Sequence, residues 1–342
     1  MHNIIEMNSC FSTTRRLIKL ESEDLEQFTR IFNDSKDKFN TELFLPILQG
    51  RQGEGGLRTE GYWKVGEKLK NNLLIGSLNL KQKIKIRDNN YKKPLVSIIT
   101  VVLNGELFIE ETICSVINQS YDNIEFIVID GGSVDSTLTI IKKYEKKIDY
   151  WVSERDAGIY DAMNKGIKAC TGDIIAIINA DDFYIDNKVF ENLINGSENL
   201  PWDILCCGVN KIGPKDKFLI KTVHPKQNLL YLGMTTPHPG VFVKSRVYKE
   251  SGIFDETYKV ASDYDFILRC KLSGLKFITK SSVVACMRTG GFSERSIKKG
   301  IKEVSDIRKR RLSKLILILS NFLLASIVLK NKFGHSIRKI FG

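Results

Sequence analysis

The middle of the chain alternates between continuously apolar runs and segments in which apolar residues recur at helical spacing. Four runs rich in β-branched residues predict buried strands: 94–102, 124–130, 148–153 and 173–179. Three amphipathic segments between them predict helices: 106–119, 136–147 and 160–170. Strands that are hydrophobic throughout are covered on both faces, so this order predicts an α/β fold with a mostly parallel sheet flanked by helices. In such a sheet, ligands bind at the carboxyl ends of the strands.

The regions on either side are less regular. Further elements are expected downstream: strands at 202–209 and 239–245, and a helix at 263–272. Upstream, the glycine-rich stretch 49–61 lacks the Gly-Lys-Ser/Thr that ends a nucleotide-binding P-loop, and we interpret it as a surface connection. The chain therefore divides into three parts: an N-terminal extension (1–94), a central α/β domain (95–295) and a C-terminal tail (296–342).

Length and composition fit a globular protein with one or two domains. Of the 342 residues, 42% are hydrophobic and 27% are charged, which excludes wholesale disorder, collagen and a multi-pass membrane protein. The seven cysteines are odd in number, irregularly spaced and without a C-x-x-C pair, so we expect reduced thiols rather than a disulfide framework or structural zinc. The N-terminus also lacks the features of a secretory signal. These observations predict a cytoplasmic protein.

The positive charge is concentrated in the tail. The whole chain carries 52 Lys and Arg against 40 Asp and Glu, whereas residues 296–342 carry twelve basic and two acidic residues. Within the tail, the apolar run 315–329 has basic residues on both sides but is shorter than the ~20 residues that span a bilayer. This pattern predicts an amphipathic helix on an anionic membrane surface, hence peripheral association with the cytoplasmic membrane. The alternative is a helix packed on the protein's own core or on a dimer partner.

Several predicted strands end in acids or amides. Asp130 ends the strand at 124–130, Asp156 follows the strand at 148–153, and Asn179, Asp181 and Asp182 follow the strand at 173–179. Carboxylates gathered at one edge of a sheet repel one another unless a cation lies among them. A divalent metal with a diphosphate satisfies this requirement, since hard oxygen ligands suit Mg²⁺ or Mn²⁺. The alternative is that these are separate turn and cap residues.

Two sets of motifs follow one another along the chain. The first consists of VSIITVVLNG, SVINQSYDNIEFIVIDGGSVDST and ERDAGIYDAMNKGIKACTGDIIAIINADD. The second consists of HPGVFVKSRVYKESGIFDETYKVASDYDFILR and TGGFS. Together, these motifs resemble the family 2 glycosyltransferases of bacterial polysaccharide assembly, such as those of O-antigen or capsule. The resemblance covers about residues 95–295 and implies a GT-A type, Rossmann-like fold. Residues 95–182 would bind a nucleotide-diphosphate sugar, expected to be a UDP-sugar, and residues 183–295 would bind the acceptor.

The resemblance also implies roles for individual residues. Donor binding would fall to one set: Thr100, Asn104, Asp130, Asp156 and Asn179. Asp181 and Asp182 would hold the divalent metal, Mg²⁺ or Mn²⁺, and Asp263 would be the catalytic base of an inverting transfer. Asn179 stands where the family usually has Asp. On the acceptor side, His238 could line the pocket or cap a loop, and Arg288 could approach the diphosphate or belong to an ordinary turn.

The leading hypothesis is therefore a metal-dependent inverting glycosyltransferase that acts on a lipid-linked or polysaccharide acceptor hydroxyl. The alternative is a sugar nucleotidyltransferase, which usually has basic residues in the loop after the first strand. Here that loop reads LNGELF, without Lys or Arg. A nucleic-acid-binding module is disfavoured, because the basic tail is mainly aliphatic rather than interleaved with aromatic residues.

Overall fold

The computed structural model describes residues 10–20, 24–25, 28–29, 32–33, 35–64, 66, 93–195 and 200–326. The strands are β1 Leu17–Lys19, β2 Gly53–Gly55, β3 Tyr62–Lys64, β4 Val96–Val102, β5 Ile124–Asp130, β6 Tyr150–Ser153, β7 Ile174–Asn179, β8 Phe183–Tyr184, β9 Ile204–Ile212, β10 Leu219–Val223, β11 Val241–Lys244 and β12 Phe277–Arg288. The helices are α1 Ile109–Ile117, α2 Thr137–Lys143, α3 Ile159–Ala169, α4 Val189–Asn195, α5 Ser245–Ser251, α6 Ser262–Leu272, α7 Phe292–Arg295, α8 Ile297–Arg311 and α9, residues 314–326.

One large sheet organises the described chain. Its order is β2-β6-β5-β4-β7-β11-β9-β12-β8, with β10 paired to β9. Strands β6, β5, β4 and β7 are parallel neighbours, whereas β11 runs antiparallel between β7 and β9. The predicted α/β fold with a parallel centre is thus confirmed. The four parallel strands end at the same edge, which is where the predicted acids lie.

Every residue of β4 and β5 is buried, since helices cover both faces of the parallel strands. On one face, Ile98 and Phe126 belong to a core that includes Ile113 of α1. On the other face, α3 lies very close to β4. A Cβ atom on Gly166 would stand 2.4 Å from Ile99 Cγ2, so glycine is required at this contact.

The glycine-rich stretch is not the surface connection that its composition indicated. Gly53–Gly55 forms β2, which pairs antiparallel with β6 and extends the central sheet. The indole of Trp151 lies against these glycines, and a Cβ atom on Gly55 would stand 2.8 Å from its Nε1 atom. Glycines are therefore needed in this edge strand because the Trp151 ring leaves no room for larger side chains.

The same N-terminal segment supplies a buried ion pair. The Arg58 guanidinium donates to the Glu125 carboxylate at 2.6 Å, and both side chains are almost completely buried. Burial alone would raise the pKa of Glu125, but Arg58 and hydrogen bonds from Ser97 and Thr171 outweigh it and hold that pKa below its usual value. Part of the predicted extension is therefore integral to the α/β domain.

The start of the C-terminal tail also belongs to the packed domain. Helix α8 lies against α6, Ile307 on α8 is fully buried, and Arg311 forms an ion pair with Asp265 at 2.8 Å. Residues beyond the boundary predicted at residue 296 thus pack against the body, because three arginines of α8 have partners there: Arg308, Arg310 and Arg311. Among the described residues, no helix combines the length and apolarity needed to cross a membrane. Residues 327–329 of the apolar run lie outside the described residues.

Candidate functional site

A cleft of about 680 Å³ opens at the carboxyl ends of the parallel strands. Most of its lining comes from four stretches of chain, 101–108, 156–162, 179–182 and 287–295, and the segment 256–259 adds to it. Most of the predicted site residues line it: Asn104, Asp156, Asn179, Asp181, Asp182 and Arg288. The sheet topology explains this convergence, since the loops after parallel neighbours emerge on one side.

Thr100 and Asp130 do not reach the cleft surface. Thr100 is fully buried within β4, and its hydroxyl has no hydrogen-bond partner among the described residues. Asp130 is also fully buried, and its carboxylate accepts hydrogen bonds from the hydroxyls of Ser133 and Ser153. In this structure neither side chain can touch a ligand in the cleft directly.

Asp130 instead supports a loop that does line the cleft. The Ser133 hydroxyl, which donates to Asp130, accepts the backbone N–H of Asn104 at 2.7 Å. Asn104 has a positive φ of 52°, and its side-chain oxygen accepts the Val134 N–H at 2.9 Å. Asn104 thus occupies a left-handed conformation that its own side chain stabilises. Asp130 contributes to the site by fixing this loop.

Asp156 lies in a cluster of acids arranged around one lysine. The Lys165 ammonium lies 2.6 Å from Asp156, 3.0 Å from Glu154 and 3.5 Å from Asp161. Burial raises the pKa of Asp156 to about 6, although Lys165 opposes the shift. Lys165 therefore balances part of the negative charge on this wall of the cleft.

The end of β7 provides three side chains with oxygen atoms. Asp181 lines the cleft. Its burial raises its pKa above the usual value, although the charges of Arg288 and Arg295 oppose this shift. Asp182 is almost fully buried, and one of its carboxylate oxygens accepts the Arg288 N–H at 3.0 Å. Its other oxygen, and the side-chain oxygen of Asn179, find no hydrogen-bond donor in the described part of the chain. Unpaired buried oxygens of this kind need a donor or a cation.

These residues fit a divalent ion that a diphosphate helps to hold. No group of three or more His, Cys, Asp or Glu side chains in the described ranges could bind a metal by itself. Mg²⁺, however, is commonly held by only one or two carboxylates together with phosphate oxygens and water. Asp181, together with the unpartnered oxygens of Asp182 and Asn179 at the same strand end, meets that requirement.

Arg288 has a more enclosed position than the sequence indicated. Its guanidinium lies 4.4 Å from the centroid of the Phe108 ring and 5.2 Å from that of the Phe183 ring. It donates to the backbone oxygen of Asp181 and to the Glu111 carboxylate. Arg288 lines the cleft, but its hydrogen bonds chiefly fix the backbone that carries Asp181.

Asp263, the predicted base, lies in the first turn of α6. It does not line the cleft itself, but it contacts Tyr160, which does. The Tyr160 ring lines the cleft, and its hydroxyl lies 3.1 Å from Asp263 Oδ1 and 2.8 Å from the Val260 carbonyl oxygen. Asp263 and His238 together line a separate small void of about 10 Å³. Burial lowers the pKa of His238 although Asp263 opposes this, which favours the neutral ring. His238 therefore neighbours the predicted base rather than the cleft.

With the geometry established, comparison with known proteins identifies the family. The family model for Glycosyl transferase family 2 matches residues 97–263. An uncharacterized glycosyltransferase of Mycobacterium tuberculosis is 31% identical over 185 residues, which cover 52% of this chain and 70% of that protein. The chain belongs to glycosyltransferase family 2.

Other family members match over a smaller share of their length. An uncharacterized glycosyltransferase of Rickettsia typhi is 34% identical over 214 residues, and the match spans 58% of this chain and 63% of that protein. The chain therefore spans less than two thirds of this relative.

Solved structures agree with a GT-A type fold. A crystal structure of S. aureus TarS superposes with a TM-score of 0.51 at 18% identity, over 65% of this chain and 69% of that chain. A mannosyltransferase from Pyrobaculum calidifontis, solved with GDP-Man and Mn²⁺, gives a TM-score of 0.51 at 17% identity, over 73% of this chain and 79% of that chain. At such identities the likeness concerns the fold.

Three residues that shape the site have no role in the sequence-based assignment: Lys165, Ser133 and Glu303. Lys165 could have been found from sequence, because it follows Asp161 by four residues on a predicted helix. Ser133 lies within the motif that ends in GGSVDST, but a serine in a turn carries no signal of the hydrogen bonds that it makes to Asp130 and Asn104. Glu303 gave no signal, since it lies in the basic tail, yet its carboxylate binds the backbone just before α6.

Proposed function

We propose that this protein is a metal-dependent inverting glycosyltransferase that transfers a sugar from a nucleotide-diphosphate donor to the hydroxyl of a lipid-linked or polysaccharide acceptor. The observation that carries the proposal is the convergence of Asn104, Asp156, Asn179 and Asp181 in one cleft at the carboxyl ends of parallel strands. The cleft volume, about 680 Å³, lies within the range of about 300–1,000 Å³ for small-molecule sites.

Donor binding is assigned to the part of the cleft between β4 and α3. Asn104 and Asp156 offer an amide and a carboxylate to the base and ribose, and the loop held by Asp130 borders the same space. The nucleotides in similar structures support a nucleotide-sugar donor, since S. aureus TarS was solved with UDP and the Pyrobaculum enzyme with GDP-Man. A UDP-sugar remains our proposed donor.

The diphosphate and metal are assigned to the end of β7. Asp181 would hold the ion, with Asp182 and Asn179 offering their unpartnered oxygens. When bound, a divalent ion neutralises the charge that develops on the leaving diphosphate. Arg288 keeps the Asp181 backbone in place, so the carboxylate is presented at a fixed position.

Asp263 is assigned as the general base that accepts the proton of the acceptor hydroxyl. A general base must lie within hydrogen-bond reach of the proton that it accepts. In this conformation the Tyr160 hydroxyl contacts Asp263 Oδ1, and Tyr160 lines the cleft whereas Asp263 does not. We propose that acceptor binding displaces this hydroxyl, so that the acceptor oxygen is deprotonated as it attacks from the side opposite the diphosphate. Attack from that side inverts the anomeric configuration.

The apolar face of α9 supports peripheral membrane association. Five residues at helical spacing are between 45% and 76% exposed: Leu315, Ile318, Leu319, Phe322 and Leu323. A contiguous exposed apolar stripe marks an interaction surface, and basic residues nearby favour anionic lipid. Lys309, Arg310 and Lys314 provide that charge just before and at the start of the helix. Such a position on the cytoplasmic membrane suits a lipid-linked acceptor.

A donor screen tests the proposed activity. Nucleotide sugars are tested for a rise in the melting temperature with and without Mn²⁺, because a ligand that binds only the folded state stabilises it. Transfer is then measured by release of the nucleoside diphosphate from the nucleotide sugar. Release of pyrophosphate from a nucleoside triphosphate and a sugar 1-phosphate would instead indicate a nucleotidyltransferase.

Replacement of Asp181 is the matched test of the metal role. Asp181→Asn should abolish transfer while the protein stays folded, and Asp186→Asn, an exposed acid on the following loop, should retain transfer. An Asp181→Asn protein that turns over like the wild type in metal-free buffer would refute the proposed metal role.

A further inference from the structure

Helix α8 carries a carboxylate that binds three consecutive backbone amides. Glu303 accepts hydrogen bonds from the N–H groups of Lys259 at 3.0 Å, Val260 at 2.8 Å and Ala261 at 3.0 Å. Glu303 itself is buried. Hydrogen bonds between backbone N–H groups and a carboxylate are among the stronger ones in proteins. This contact fixes the path of the chain immediately before α6.

The segment 259–261 is connected directly to the predicted base. Asp263 follows it by two residues, and the Val260 carbonyl oxygen lies 2.8 Å from the Tyr160 hydroxyl that also contacts Asp263. Lys259 lines the cleft. A shift of this segment would therefore move the base and the tyrosine that borders it together.

The position of Glu303 does not depend on these three amides alone. Helix α8 is also held by the Arg311–Asp265 ion pair at 2.8 Å, by the Arg308 bond to the Tyr231 carbonyl oxygen at 2.9 Å, and by the fully buried Ile307. Loss of the Glu303 carboxylate should therefore leave the helix docked and release only the segment that it binds.

We propose that Glu303 is a positioning residue for sugar transfer, which holds segment 259–261 so that Asp263 meets the acceptor hydroxyl. The inference rests on the proposed function. Misplacement of a reacting group by about 1 Å can cost on the order of 100-fold in rate. Because the nucleotide part of the cleft is formed by other segments, donor binding should be unaffected.

Three variants of the full chain test the inference. Glu303→Ala should lower kcat about 10–100-fold with the donor KM changed less than about 2-fold. Glu303→Gln should fall between Glu303→Ala and the wild type, because the amide oxygen can still accept up to two of the three hydrogen bonds. Asp306→Asn, an exposed acid on the same helix, is the control and should leave kcat unchanged. Hydrogen exchange should accelerate at residues 259–261 in Glu303→Ala.

Several outcomes would overturn the inference. A Glu303→Ala protein with faster exchange at 259–261 but wild-type kcat would show that the segment is held without consequence for transfer. An equal loss of donor affinity and kcat would indicate general damage to the fold instead. If Glu303→Ala does not fold, Glu303→Gln decides by the same measurements. A wild type without transfer activity refutes the proposed function, whereas an inactive Asp263→Asn beside a fully active Glu303→Ala refutes only this inference.

Discussion

Replacing Asp265 with asparagine is expected to lower the free energy of unfolding and to leave turnover nearly unchanged. Replacing Asp263 with asparagine is expected to lower turnover and to leave the free energy of unfolding nearly unchanged. The two acids lie two positions apart in the first turn of α6. Asp263 is half-buried next to the Tyr160 hydroxyl, and Asp265 is fully buried between two arginines. From sequence alone, both could have been caps of the helix N-terminus.

The expected loss of stability for Asp265→Asn follows from its contacts. The carboxylate accepts one hydrogen bond from Arg269 and two from Arg311. Removing one partner of a fully buried ion pair costs about 3–5 kcal/mol. The two arginine side chains remain 17% and 25% exposed, and Arg269 also donates to the carbonyl oxygens of Ser251 and Ile253. Water and these carbonyls can solvate the released charges, so we expect about 2–3 kcal/mol, similar to one hydrogen bond to a charged group.

Asp263→Asn should have little effect on stability. The Asp263 side chain accepts the Tyr264 N–H at 2.9 Å, and the asparagine oxygen can keep this bond. We expect the free energy of unfolding to change by less than about 1 kcal/mol. Loss of a general base should lower turnover by a factor of ~10²–10⁴, with donor binding nearly unchanged.

Urea unfolding followed by circular dichroism measures the free energy of unfolding of each variant. Its turnover is measured at saturating donor and acceptor. Turnover is corrected for the folded fraction, so that instability of Asp265→Asn is not counted as lost chemistry. Equal and small turnover losses in the two variants would show that the base lies elsewhere. An Asp265→Asn protein that unfolds at the wild-type urea concentration would refute the ion-pair reasoning.

Three further predictions concern other parts of the chain. Asp130→Ala should weaken nucleoside diphosphate binding by about 1–3 kcal/mol, because the loop that it supports loses a charged hydrogen-bond partner; unchanged calorimetric affinity would count against this. Arg58→Met should lower the free energy of unfolding by about 3–5 kcal/mol by leaving Glu125 unpaired, and the effect should shrink in acid as that carboxyl takes up a proton. Lys143→Met, at an exposed ion pair, should unfold like the wild type. Removing residues 314–342 should reduce binding to anionic vesicles, and binding by the intact chain should weaken as salt rises; identical binding of both chains would mean that α9 is no anchor.

The sequence was most informative where burial is continuous. The runs that became β4, β5 and β7 are apolar at nearly every position, so their identity as central strands, and the edge at which their acids lie, could be predicted. Strand β2 could not, because Gly53–Gly55 has no apolar pattern, and its pairing with β6 beneath the Trp151 ring is visible only in the folded chain. The β-propensity of the residues does not predict a strand that forms only because a neighbouring strand packs against it.

Contacts between distant residues were the second gap. The resemblance to the family indicated Asp130 as a donor ligand, but its hydrogen bonds to Ser133 and Ser153 could only be seen in the folded chain. Glu303 is separated from the amides that it binds by more than forty residues. Its neighbours in sequence are mainly basic, so the charge pattern of the tail gives no indication that this single acid binds the body.

The two arginines that neutralise buried carboxylates have a consequence for how this protein can be shortened. Arg58 comes from upstream of the segment that matches the family, residues 97–263, and both members of the Asp265–Arg311 ion pair lie downstream of it. A fragment trimmed to those limits would retain Glu125 without its counterion, and it would expose the edge of β6 that β2 now covers. Such a fragment would also end at the second residue of α6 and would lack β12, which pairs with β9. A stable fragment should therefore extend beyond the matched segment at both ends. Expression boundaries should be chosen by these ion pairs rather than by the extent of similarity.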